Sequence, residues 1–271
     1  MMNGKIGVAI SALLLFAQVN HADEMVQPQR IINCRTAGIL PRGIYALEFS
    51  VYPNGDIDLP GSGMLVGVTM GLLNRLNIGV SYGGDAIIGR DNPRFNPHLG
   101  AFIKYRIFEE TYLFPAFALG YDNQGFGGID RNYNGYIFKS PGFFLAVSKN
   151  YLFLERVQLG MHAGINYSLE ESRTVRWPNG YCGVDLGINE ELSFAAEYDL
   201  ALNARDPGVS AVKYNNPLCG FFNIGIRWAF TRSLYLELDI KDILQNKVTA
   251  LPANKTLGWD REMKLAYFLH L

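Results

Sequence analysis

The chain is short of the residues on which most chemistry depends. It has 271 residues but only four histidines and three cysteines. No Cys/His group stands at metal-ligand spacing, so no metal centre is expected. Cys34, Cys182 and Cys219 are too few and too scattered for a disulfide scaffold. They read as small half-buried side chains. Charged residues make up 18% of the chain and the formal net charge is −1, so charge gives no argument for nucleic acid as a partner. "GGDAIIG" lacks the strand-and-helix context of a phosphate loop. "DNQGFGGIDRNYNGY" lacks the terminal Glu of a calcium loop and reads as an extracellular turn. No cofactor is expected.

Long hydrophobic runs are missing too, with one exception. "IGVAISALLLFA" (6–17) follows Lys5 and has the form of a signal peptide ending at residue 22. Nothing after it approaches the roughly 20 apolar residues of a membrane-spanning helix.

What the chain has instead is alternation. In "VQLGMHAGINYS" (157–168), Val157, Leu159, Met161, Ala163, Ile165 and Tyr167 share one face. Small and polar residues share the other. A period of two is an extended strand with one apolar face, and a dozen residues is about the length that crosses a bilayer when tilted. The pattern recurs at 44–52, 64–72, 76–82, 101–107, 113–121, 143–149, 182–188, 193–200, 222–230, 234–240 and 264–271, which makes twelve strands. Short connections alternate with long ones rich in Gly, Asn, Asp and Pro, such as 83–98 and 122–138. That is the layout of an all-β transmembrane antiparallel up-and-down barrel, with short periplasmic turns and longer extracellular loops. Residues 42–271 are assigned to this outer-membrane barrel and 23–41 to a periplasmic N-terminal segment. Pro115 is an awkward member of a barrel strand, because it cannot donate to the ladder. A bulge at the periplasmic rim would accommodate it.

Lipid is then the outer solvent and the apolar face points outward. Nine glycines (67, 71, 79, 120, 160, 164, 183, 187 and 225) fall on the inward register. So do Glu48, Lys104, Arg106, His162, Asp185, Glu197, Asp199, Arg227, Glu237 and Asp239. Twelve strands about 4.8 Å apart and tilted about 40° enclose a ring of roughly 24 Å, within which long side chains from facing walls can meet. Arg227 is expected between Glu197 and Glu237, closing a balanced network. An open channel with a charged filter is the other reading. His162 among glycines has the look of a base or ligand, but no partner is evident in the sequence, and it reads as a hydrogen-bonded lumen side chain. A Ser/His/acid trio on one face would favour an enzyme. Glycan or host binding by the long loops would favour a structural or adhesive barrel.

The C-terminal "KLAYFLHL" (264–271) resembles the terminal strand read by the outer-membrane assembly machinery, with Ala266 and Leu271 departing from that pattern. "TAGILPRG" (36–43), "GLLNRLNIGVSYGGDAIIG" (71–89), "FPAFALGYDNQG" (114–125), "SKNY" (148–151), "GINYSLE" (164–170) and "EYDLAL" (197–202) resemble the YjbH-like outer-membrane β-barrel proteins. The resemblance covers roughly residues 31–202. It implies a bacterial outer-membrane location, and an accessory role beside exopolysaccharide export with polysaccharide-export proteins as partners. The larger members are much longer and carry more than one barrel module.

Overall fold

The computed structural model describes residues 27–54, 61–130, 135–153, 157–170, 177–203, 220–246 and 259–270. Residues 1–22, Cys219 and Leu271 lie outside that set.

Twelve strands form the wall: β1 (Ile44–Pro53), β2 (Ser62–Leu73), β3 (Leu76–Ile88), β5 (Gly100–Phe108), β6 (Ala116–Asp122), β9 (Gly142–Phe153), β10 (Val157–Tyr167), β11 (Asn179–Gly187), β12 (Leu192–Asp199), β13 (Phe221–Thr231), β14 (Leu234–Lys241) and β15 (Asp260–His270). Three short strands decorate them: β4 (Arg94–Phe95), which pairs with β3, and β7 (Phe126–Asp130) with β8 (Gly135–Phe138), which form a separate hairpin. Each wall strand lies antiparallel to its neighbours, and the first and last close the ring from Ile44↔His270 to Val51↔Met263. Closure leaves no unpaired edge, which is the condition for a sheet in lipid. All twelve expected strands are present.

The awkward proline resolves simply. The sixth strand begins at Ala116, so Pro115 precedes the ladder rather than interrupting it. A register shift between Arg106 and Phe108 lies at the same rim.

Burial is inverted relative to a water-soluble protein. Lys104 is 0% exposed and Lys264 1%, while Ile165 is 59% and Val80 51% exposed. Lysine is almost never fully buried unless it is paired. Here the cations point into a polar interior, and Val68, Ile103, Leu119, Met161, Ile226 and Leu238 face out. Tyr167 and Trp228 stand on that outer face toward strand ends, as expected of an aromatic girdle, whereas Tyr82 lies mid-strand because β3 runs on to Ile88.

Candidate functional site in the lumen

Residues 27–41 depart from expectation. They do not trail into the periplasm but run inside the barrel. The turn at residues 31–34 is closed by Ile31 N–H to Cys34 O at 2.9 Å and by a bridge between Arg30 and Arg35. One arm descends to Gln27, whose Oε1 accepts from Arg106 at 2.9 Å. The other descends to Leu40, which exchanges two hydrogen bonds with the Asn77 side chain, and to Gly43, whose N–H donates to Gly71 O. Arg106, Asn77 and Gly71 all lie toward the short-turn end, so both arms reach that end. The segment is a hairpin plug. Ile31, Ile32, Ala37 and Leu40 are fully buried in it.

The expected lumen residues turn out to be the plug's sockets. Three consecutive amides, of Ile32, Asn33 and Cys34, donate to the Glu197 carboxylate at 3.0 Å, and Asn223 adds a fourth donor at 2.7 Å. Burial pushes the Cys34 thiol well above its ordinary pKa, and the Glu197 charge pushes it further. Glu48 pairs with Arg30. Lys104 donates to the carbonyls of Gln29 and Thr36 at 3.3 and 3.4 Å. The placement of Arg227 between Glu197 and Glu237 is corrected. Of the two carboxylates Arg227 reaches only Glu237, through Nε at 2.7 Å, because its register partner on β12 is Ser193 while Glu197 lies opposite Asn223. The second cation on Glu237 is Lys264, at 2.8 Å, which also pairs with Asp239 at 2.8 Å and donates to Ile32 O at 3.0 Å. Asp199 is held by Asn179 at 2.6 Å.

Sequence reasoning missed Lys241, Lys264, Glu262, Asp122 and Asn77. Lys241 binds Glu262 and the Asn33 side chain, and Asp122 binds Arg35. Each lies on the inward register of its strand, so alternation carried the signal. What was lacking was the partner, which lies far away in the chain.

Glycine makes room for the plug. A Cβ at Gly71 would stand 1.9 Å from Pro41 O, and one at Gly183 would stand 2.8 Å from Ile31 Cδ1.

His162 is part of a trio on β9, β10 and β11. Its Nδ1 is 2.7 Å from Ser148 Oγ and its Nε2 is 2.5 Å from Asp185 Oδ1. Asp185 accepts the Nε2 proton, which leaves the Nδ1 lone pair for the serine hydroxyl. Ser148 Oγ in turn accepts the plug amide of Ala37 at 2.9 Å. All three side chains are buried. The roles match those of an activated serine, but the serine oxygen is occupied by the plug. Backbone donors around it are committed to the ladders with β6 and β10.

Beside the plug runs a cavity of about 1030 Å³. Its lining extends from Ile188–Leu192 and Ala229–Arg232 at the short-turn rim up to Gln124 and Phe126, and it includes Asp185 but neither Ser148 nor His162. Over its upper end lies the β7–β8 hairpin, which touches β1 and β3 on one side and packs Phe138 edge-to-face against Phe221 on the other. Among the described residues no group of His, Cys, Asp and Glu could hold a metal ion.

A closed even-stranded ring with a polar, charge-lined interior and an apolar exterior has one natural setting. The molecule is a barrel of the bacterial outer membrane. No family model and no curated protein matches the chain. Among solved structures it is similar to the KdgM porin (TM-score 0.45, 7% identity, 84% of this chain and 99% of that one). It is also similar to the NanC porin (0.43, 9%, 84% and 99%) and to the outer membrane protein Omp33 of Acinetobacter baumannii (0.37, 9%, 84% and 97%). The architecture itself stands on the strand pairing of this chain.

Proposed function

We propose that this barrel is an outer-membrane channel held shut by its own N-terminal hairpin. The supporting observation is the way the hairpin is held. Its contacts to the wall are mostly hydrogen bonds and ion pairs, to Glu197, Lys104, Asp122, Glu48, Asn77 and Ser148. Such contacts can be exchanged for water, which a packed apolar core cannot do. A cavity already runs alongside. The protein conducts little while the hairpin is seated and conducts when it leaves. A finer reading, an accessory place beside exopolysaccharide export, is supported by the resemblance over residues 31–202. Planar-bilayer recording tests the channel: wild type should pass little current, and protein lacking 27–40 a large, steady one. A shortened protein that folds and stays silent overturns the proposal.

The Ser148–His162–Asp185 trio favours a second reading, a hydrolase exposed when the hairpin leaves. Its test is labelling of Ser148 by a fluorophosphonate. Labelling of the shortened protein supports an enzyme, and no labelling leaves the trio as part of the plug's seat.

A further inference from the structure

The hairpin carries two arginines into the lumen, and each sits in a seat of the same composition. Arg35 donates Nε to Asp122 at 2.8 Å, and its guanidinium carbon stands 4.3 Å from the centroid of the Phe102 ring. Arg30 pairs with Glu48, and its guanidinium carbon stands 5.5 Å from the Phe126 ring. A carboxylate beside an aromatic face is the recognition chemistry of an organic cation: the carboxylate takes the N–H donors and the ring faces the delocalised charge. Both arginines, both carboxylates and both rings line the one cavity of about 1030 Å³.

From this geometry we infer that the two arginines are stand-ins for a ligand, and that the unplugged lumen binds organic cations bearing guanidinium or ammonium groups. The inference rests on the plugged-channel reading and names what that channel takes. With the hairpin out, Glu48 and Asp122 lose the ion pairs that hold them, and Glu197 loses three donors. These carboxylates then face the path. Four wall cations work against them. Lys104, Arg106, Lys241 and Lys264 lose plug partners at the same moment, although Lys241 keeps Glu262 and Lys264 keeps Glu237 and Asp239. Lys104 lies 5.7 Å from the same Phe102 ring as Arg35, so it competes for the Asp122 seat. The Glu48 seat has its own competitor, Lys241, whose Nζ lies 5.3 Å from the Phe126 ring centroid. An acidic sugar finds like charge at both.

Agmatine, with a guanidinium at one end and an ammonium at the other, is the probe, and glucuronate is its anionic control. The protein is the full chain refolded in detergent, with heat-modifiable migration showing that each variant has formed its barrel. Arg30→Ala/Arg35→Ala empties both seats and should bind agmatine at least about tenfold more tightly than wild type, as a freed charge-assisted site should. In that background Glu48→Gln and Asp122→Asn should each weaken binding by about tenfold. In bilayers under a salt gradient the reversal potential should show cation preference. In wild type, agmatine should speed alkylation of Cys34, read by mass spectrometry against Cys182, because the ligand competes the hairpin out; this arm decides the matter if the double variant does not fold. Equal agmatine binding by wild type and the double variant overturns the inference, as does binding of glucuronate at similar strength. An open pore that prefers anions overturns the seats and leaves the channel standing. Agmatine binding to variants that never conduct overturns the channel and leaves the seats.

Discussion

Among the described residues, Glu197 accepts more hairpin amides than any other side chain. It is 1% exposed and accepts three successive plug amides. Hydrogen bonds to a charged group are worth about 1.5–3 kcal/mol each, and a buried donor left without an acceptor costs about 1–3 kcal/mol. Glu197→Ala should therefore loosen the seated hairpin by about 3 kcal/mol, or roughly a hundredfold in the population that is out. Cys34 reports this, since its thiol is buried at the plug tip and held protonated by its surroundings. Its alkylation should rise accordingly, while that of the exposed Cys182 stays constant. Ser148→Ala removes one neutral acceptor from Ala37, so its effect should be smaller, about 1 kcal/mol. If the two variants alkylate Cys34 equally, the Glu197 contacts do not hold the hairpin. Gly71→Ala places a methyl against the Pro41 carbonyl and should raise Cys34 alkylation without touching any charge.

At the level of elements, the strands were legible and the plug was not, for a physical reason. A strand between lipid and lumen alternates because its two faces meet different solvents, and that period is written locally, as in 157–168. "RIINCRTAGILPRG" has no period because it has no single solvent. Its partners, Glu197, Lys241 and Lys264, lie more than 150 residues away and are brought to it only by closure of the ring. Inward glycines at 71 and 183 were the local trace of something occupying the space. The Ser148–His162–Asp185 trio was half legible. His162 was singled out, but Ser148 becomes its neighbour through the register His162↔Ser148, which spacing alone does not reveal. The two faces of β10 make a direct test. Met161 faces out and His162 in, so Met161→Arg should impair assembly by about 2–4 kcal/mol. His162→Gln should leave the barrel formed and only slacken the plug. Equal losses of folded barrel in the two variants would mean that the faces are misassigned.

On the scale of the whole molecule, the alternation of short turns and long loops sets the orientation in the membrane. A cysteine at exposed Asp91, in the connection between β3 and β5, should react with an impermeant reagent on intact cells; one at exposed Glu190, in the short turn between β11 and β12, should not. The reverse pattern would turn the barrel over, and would make the plugged end the one that faces outside.

Both arms of the described hairpin, 27–30 and 35–41, reach the same end of the ring, next to where β1 begins. Within the described residues the hairpin is therefore laid into the barrel from one end and not threaded through it. The wall can close before the stopper seats, and the stopper can be withdrawn and reseated without breaking a ladder. Refolding should accordingly show strand formation first and protection of Cys34 afterwards, as two events in one chain.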